Sequence, residues 1–158
     1  MFSTVLVVCV GNICRSPTAE FLLRQRIHEK RVGKNEDASQ ARAIQVSSAG
    51  LGALVNHKAD VIASRIAESI GLDLSTHIAR QLDREMVHQN DLILVMEEAH
   101  IRSVEQLAPE ARGKVHLMGR WYNNIEIPDP YRRGKAAYQR ALDLIIPSAE
   151  GWVDRLVR

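Results

Sequence analysis

The segment Thr4-Val-Leu-Val-Val-Cys9 constrains the fold more than any other. It is a continuous apolar run rich in β-branched residues, with no polar residue alternating through it. A strand with one wet face alternates apolar and polar side chains. A run without alternation reads as a strand buried on both faces. Such a strand needs a layer of cover on each side, which an isolated hairpin or an open two-layer sheet does not provide. Asp91-Leu-Ile-Leu-Val-Met96 has the same character. Residues 43–49 and 114–118 are the second and fourth strand candidates.

Helical stretches separate these strands. The first begins after Val10-Gly-Asn-Ile-Cys-Arg-Ser16, with Ser16 as the candidate N-cap, Pro17 in the first turn and Glu20 placed to favour the macrodipole. It runs to about Arg31, its apolar face built from Ala19, Leu22, Leu23 and Ile27. Residues 33–41 are polar and read as a surface connection. Gly50-Leu-Gly52 reads as a flexible loop. A helix is expected from about Ala59 to Ser69, stopped near Gly71. Asp83 is positioned to cap a short helix through Val87. Another helix ends near Leu107, ahead of Pro109. A long loop spans 119–134, and a last helix runs from about Lys135 to Val157, where Pro147 is expected to kink or break it. Strands alternating with helices call for a single domain over 1–158, with a mostly parallel sheet covered by helices on both faces. Sites in such sheets lie beyond the C-terminal ends of the strands.

Bulk numbers narrow the function. The chain has 158 residues, 46% apolar and 25% charged, which suits one ordinary core. A formal charge of +2 is too small to imply nucleic-acid binding. No Lys or Arg precedes the apolar run at the N-terminus, and Val8 before Cys9 is not a small residue, so a lipoprotein signal does not fit. No stretch is long enough to span a bilayer, and a cytoplasmic protein is expected. Cys9 and Cys14 are the only cysteines, too few for a disulfide scaffold, and no histidine cluster stands near them to build a metal site.

Cys9 through Arg15 carries the chemistry. Cys-x5-Arg is a weak pattern alone, but here the cysteine ends a buried strand and the arginine leads into a helix N-terminus. Gly11 and Asn12 both tolerate positive φ. The backbone N–H groups of Val10, Gly11, Asn12, Ile13 and Cys14 can then point at one centre, an anion nest at the positive end of a helix. Arg15 adds a planar fork for two phosphate oxygens. The same field favours the thiolate of Cys9, a nucleophile beneath a bound phosphate. Cys9 as a mere buried hydrophobe leaves this constellation unexplained. The loop matches neither a Walker nucleotide loop nor a dinucleotide fingerprint.

A phosphatase also needs an acid for the leaving group. Asp129 in Ile127-Pro-Asp-Pro-Tyr131 is the candidate, stiffened by its flanking prolines. Tyr131 can wall an aromatic substrate. Taken alone, Pro-Asp-Pro would be a turn.

Cys-Val-Gly-Asn-Ile-Cys-Arg-Ser-Pro at 9–17 and Asp-Pro-Tyr at 129–131 resemble the low-molecular-weight protein tyrosine phosphatases. Ser47-Ser-Ala-Gly50, Thr76-His-Ile-Ala-Arg-Gln81 and Asp91-Leu-Ile-Leu-Val-Met96 are similar to the blocks between, so the resemblance covers nearly the whole chain. It implies a four-stranded parallel sheet of order 2-1-3-4, with no metal and no cofactor. It implies a cysteinyl-phosphate on Cys9, phosphate binding by Arg15, a hydrogen bond from Ser16 to the Cys9 thiolate, and Asp129 as acid and then base. It implies that Asn12, in a left-handed conformation, is held by Ser48 and His77, and that Cys14 protects Cys9 through a reversible disulfide.

Two departures bear on substrate. Leu54 stands where an aromatic wall is common, and Arg132-Arg133 follows Asp-Pro-Tyr in place of a second aromatic residue. An aliphatic wall and a basic rim resemble bacterial members that act on tyrosine autokinases of capsule or exopolysaccharide export. The expected partner is such a phosphotyrosine protein, and the expected state a monomer. A thiol-dependent arsenate reductase shares this fold and loop but relays oxidation through cysteines far down the chain, and none follows Cys14. A non-catalytic phosphoprotein-binding module would have lost the nucleophile or the acid; Cys9 and Asp129 are both present.

Overall fold

The computed structural model describes residues 2–35 and 43–158, so most of the connection read over 33–41 lies outside the described residues. In chain order the elements are β1 (Thr4–Cys9), α1 (Arg15–Gly33), β2 (Gln45–Gly50), α2 (Val61–Glu68), α3 (Arg84–Gln89), β3 (Leu92–Val95), α4 (Glu98–Leu107), a 3-10 turn (Pro109–Ala111), β4 (Val115–Leu117) and α5 (Lys135–Leu156). The four strands form one parallel sheet of order β2-β1-β3-β4.

β1 shows why its sequence has no polar alternation. Val5, Val7 and Cys9 pack on one face with Leu22, Leu23 and Ile27 of α1 and Ile145 and Trp152 of α5. Leu6 and Val8 pack on the other with Val87 of α3 and Val104 of α4. Both sets are essentially inaccessible to solvent. Each large side chain so buried contributes about 1.5–3 kcal/mol, and the β1 core would lose that on either face if its cover were removed.

Local signals set most helix starts. Asp60 accepts from the N–H groups of Ile62 and Ala63 at the head of α2, and Asp83 accepts from Met86 at the head of α3. α1 differs from expectation. It begins at Arg15, with Cys14 at the cap position and no side-chain cap. Ser16 lies inside the first turn because its hydroxyl is engaged with Cys9 and Asn12. Glu20 falls beyond that turn, buried beneath Ser48.

Pro147 does not break α5, which runs unbroken on both sides of it. A proline in a helix interior costs about 3 kcal/mol. Burial of Tyr138, Leu142, Ile145, Trp152, Val153 and Leu156 along the same helix outweighs that. Gly151, also inside α5, costs roughly 1 kcal/mol relative to Ala. A Cβ there would lie 2.7 Å from the Cβ of Trp121, so glycine is what lets Trp121 pack on the helix.

Candidate active site

β1 and β2 end together, Cys9 opposite Gly50. A Cβ on Gly50 would fall 2.4 Å from the carbonyl oxygen of Val10, so only glycine allows this approach. The segment after Gly50, expected to be flexible, is tied to the Cys9 loop instead. Leu51, Gly52 and Leu54 donate their N–H groups to the carbonyls of Cys9, Val10 and Gly11 at 2.9–3.0 Å. The carbonyls are thereby held outward, and the loop's N–H groups are left facing its centre. Those of Gly11, Asn12, Ile13 and Cys14 donate to no acceptor among the described residues.

Asn12 adopts φ 58°; Gly11 does not use a positive φ. Asn12 is fully buried and held on every polar atom of its side chain. Its Nδ2 donates to Ser16 Oγ at 2.8 Å and to Ser48 Oγ at 3.0 Å, and its Oδ1 accepts from the Arg80 N–H at 3.0 Å. His77 Nε2 lies 2.6 Å from its carbonyl oxygen and donates to it. Ser48 Oγ donates a hydrogen bond to Glu20 Oε1 at 2.5 Å, and Glu20 pairs with Arg24 at 2.6 Å. Four residues, Ser16, Ser48, His77 and Arg80, thus brace one strained residue.

Ser16 Oγ lies 2.9 Å from Cys9 Sγ. Because that oxygen already accepts from Asn12, its own hydrogen is free to point at sulfur. A thiolate there receives a hydrogen bond at the N-terminus of α1, the arrangement that stabilises it.

The Arg15 side chain is 1% exposed. Its Nη1 donates to Glu97 Oε2 at 2.7 Å and to the Ile127 carbonyl at 2.8 Å. One edge of the guanidinium is anchored, and the other is turned toward the loop, where phosphate would lie. Nη2 is 3.7 Å from Asp129 Oδ2. The bond to Ile127 also fixes the acid loop, since the Ile127 N–H donates back to Met96 at the end of β3. Asp129 Oδ1 accepts from the Tyr131 N–H at 3.1 Å, which turns the carboxyl over the cleft.

The cleft has a volume of about 180 Å³ and brings together Cys9, Val10, Gly11, Ile13, Cys14, Arg15, Leu54, Asp129 and Tyr131. Leu54 and Tyr131 are both half-exposed at its mouth. Arg132, at φ 60°, sets its guanidinium 5.2 Å from the Tyr131 ring centroid, which makes the rim basic. Asn12, Ser16, Ser48 and His77 stand behind the loop. Cys14 is buried, and desolvation, then the Asp60 carboxylate and Cys9, push its thiol well above the ordinary range. Among the described residues no cluster of three or more His, Cys, Asp or Glu side chains could hold a metal ion.

The family model of the low molecular weight phosphotyrosine protein phosphatases matches residues 4–158. The chain belongs to this family. It is 47% identical over 156 residues to the low molecular weight protein-tyrosine-phosphatase Wzb of Escherichia coli strain K12, covering 99% of this chain and 97% of that one. It is 40% identical to the probable low molecular weight protein-tyrosine-phosphatase AmsI of Erwinia amylovora, over the full length of both. Among solved structures, Wzb from Escherichia coli K30 in complex with sulphate superposes with a TM-score of 0.87, at 40% identity and 99% coverage of both chains. The chain is therefore a protein tyrosine phosphatase of the family's α/β fold, and its substrates are phosphotyrosine proteins.

Three supporting residues escaped the sequence reading. Glu97 holds Arg15, His100 holds Glu97, and Arg80 holds Asn12 and, through Nε, the Ser48 carbonyl. Only Glu97 left a signal: it directly follows β3, at the end of a parallel sheet where sites form.

Proposed function

We propose that phosphotyrosine is hydrolysed in two steps at this cleft. The Cys9 thiolate attacks phosphorus, and Asp129 gives its proton to the departing phenolate oxygen. The S–P bond forms as the P–O bond breaks. Arg15 and the loop N–H groups bind the three equatorial oxygens, most tightly in the transition state. Water then attacks the cysteinyl-phosphate, Asp129 takes its proton, and the sulfur leaves as a thiolate stabilised by Ser16. The observation that carries this reading is a thiol 2.9 Å from a hydroxyl, in a loop closed by an arginine that lies 3.7 Å from a carboxyl across the cleft.

The whole chain then serves as one catalytic domain. The proposed substrate is a tyrosine autokinase of capsule or exopolysaccharide export, met in the cytoplasm. The aliphatic Leu54 wall and the basic rim at Arg132 support that choice. No helix among the described residues is long and apolar enough to cross a membrane.

The test is hydrolysis of p-nitrophenyl phosphate and of a phosphotyrosine peptide without added metal. Cys9→Ser is expected to abolish turnover, and Asp129→Asn to lower kcat by about 10²–10⁴. Full activity in Cys9→Ser would refute the mechanism. A purified autokinase that keeps its phosphate in the presence of an enzyme active on the peptide would refute the partner.

A further inference from the structure

We propose that a groove between Trp121 and the end of α5 is a second docking site, which binds an acidic peptide segment of the phosphoprotein substrate. It rests on the reading of phosphotyrosine proteins as substrates, and it shares no residue with the catalytic cleft.

The groove has a volume of about 380 Å³. Phe2, Trp121, Trp152, Arg120, Arg155 and Arg158 line it, with His116 beneath and no Asp or Glu. Two guanidiniums share the Trp121 ring: that of Arg155 lies 3.5 Å from the ring centroid, and that of Arg120 lies 4.7 Å from it. Like charges gathered on one ring repel each other, and a carboxylate beside them would relieve this. None of Arg120, Arg155 and Arg158 has an ion pair among the described residues. The adjacent Asp154 pairs with Lys30 at 2.6 Å and feels the Arg155 charge without an ion pair to it.

The cations are nonetheless ordered. Arg120 Nη1 donates to His116 Nδ1 at 2.6 Å, and Arg155 Nη1 donates to the Gly151 carbonyl at 3.0 Å. Each fork thus uses one nitrogen internally and stacks on indole, which leaves its outer edge for an acceptor such as a carboxylate. Trp121 is seated for this. It stands edge-on to Trp152, 5.7 Å between centroids, over a helix surface kept open by Gly151. It still remains 39% exposed, and Phe2 beside it 37%. A half-exposed tryptophan ringed by arginines has the composition of a protein-binding hot spot. Cations with no ion pair among the described residues select an acidic partner, and the enzyme's substrates are proteins, so the occupant is an acidic stretch of polypeptide.

Both tryptophans of the chain lie in this groove, so tryptophan emission reports on it directly. Titrating the intact protein with an unphosphorylated glutamate-rich peptide is expected to give a saturable emission change that weakens with salt. A neutral peptide of equal length and inorganic phosphate are expected to give none. Arg120→Gln with Arg155→Gln is expected to weaken binding by about tenfold or more, because two charge-assisted contacts are lost. The same pair is expected to raise KM for a phosphotyrosine peptide with an acidic extension by a similar factor, with kcat unchanged. Hydrolysis of p-nitrophenyl phosphate and the melting temperature are expected to stay as in wild type. Lysines at both positions are expected to restore part of the affinity through charge alone. No emission change with the acidic peptide, a response to an oligonucleotide instead, or an equal KM change for both substrates would overturn the proposal. A wild type that hydrolyses neither substrate would refute the phosphatase mechanism, while the emission titration would still decide the groove.

Discussion

Arg15 and Glu97 meet at 2.7 Å in a pair that is buried on one side only, the arginine side chain 1% exposed and the glutamate 35%. The pair aims the guanidinium. With Nη1 held by Glu97 and the Ile127 carbonyl, the rotamer that presents the opposite edge to phosphate is set before substrate arrives. Glu97→Ala is expected to lower kcat/KM for an aryl phosphate by at least about tenfold, or 1.4 kcal/mol of transition-state binding. An unchanged kcat/KM would show that the loop alone orients Arg15.

His100 extends that chain. Its Nδ1 accepts from the Glu97 N–H at 3.3 Å, and its Nε2 lies 3.3 Å from Glu97 Oε2. These contacts require a neutral ring with the proton on Nε2. Burial first, and then the Arg15 charge, hold its pKa below the ordinary value, against the opposing pull of Glu97, Glu126 and Asp129. His116 is lowered likewise, by burial and by Arg120. A group whose native pKa is depressed binds fewer protons folded than unfolded, so stability is full above about pH 6.5 and is lost as pH falls through the native value. The melting temperature is expected to drop as pH falls below about 6.5, and His100→Gln is expected to flatten part of that slope. An identical slope in the variant would exclude His100 as its source.

Asn12 separates backbone strain from hydrogen bonding. Its φ of 58° disfavours most side chains, and its amide makes three hydrogen bonds. Asn12→Gly and Asn12→Ala both strand the buried partners Ser16, Ser48 and the Arg80 N–H, but Gly removes the strain and Ala keeps it. Ala is expected to be the less stable by roughly 1 kcal/mol, and both are expected to lower kcat. Equal denaturant midpoints would show that the loop has shifted to another conformation.

The legible parts of this chain were those whose cause is local. All four strands, the caps at Asp83 and the stop near Gly71 are written in neighbouring residues. Cys9, Arg15 and Ser16 were readable because one loop carries them. Glu97 and Arg80 were not, because each acts across a long sequence separation, 82 positions from Arg15 to Glu97 and 68 from Asn12 to Arg80; His100, three residues from Glu97, gains its role only once Glu97 has met Arg15. Only the register of β1 with β2 and β3 brings them together. Pro147 does not break α5 for the related reason that tertiary burial of the helix overrides a local penalty. The Gly50–Leu54 stretch misled because Gly50 serves close approach to the Cys9 loop and the N–H groups of Leu51, Gly52 and Leu54 tie the stretch to it.

Cys14 lies five residues after Cys9 in the same loop, and both are free thiols. Peroxide is expected to convert the Cys9 thiolate to a sulfenic acid with release of hydroxide. The Cys14 thiol then displaces water from that sulfur and closes a disulfide. Burial and Asp60 oppose ionisation of Cys14, as does Cys9, so in the resting enzyme Cys14 remains a protonated, poorly reactive thiol. Oxidation of Cys9 to a neutral sulfenic acid removes one of those three causes, which favours attack only after damage has begun. Iodoacetamide at neutral pH is therefore expected to label Cys9 well ahead of Cys14. Wild type inactivated by peroxide is expected to recover with dithiothreitol, while Cys14→Ser, active beforehand, is expected to lose activity irreversibly through sulfinic acid. Intact-mass spectra distinguish the outcomes: a Cys9–Cys14 crosslink supports protection by Cys14, and two added oxygens in wild type would refute it.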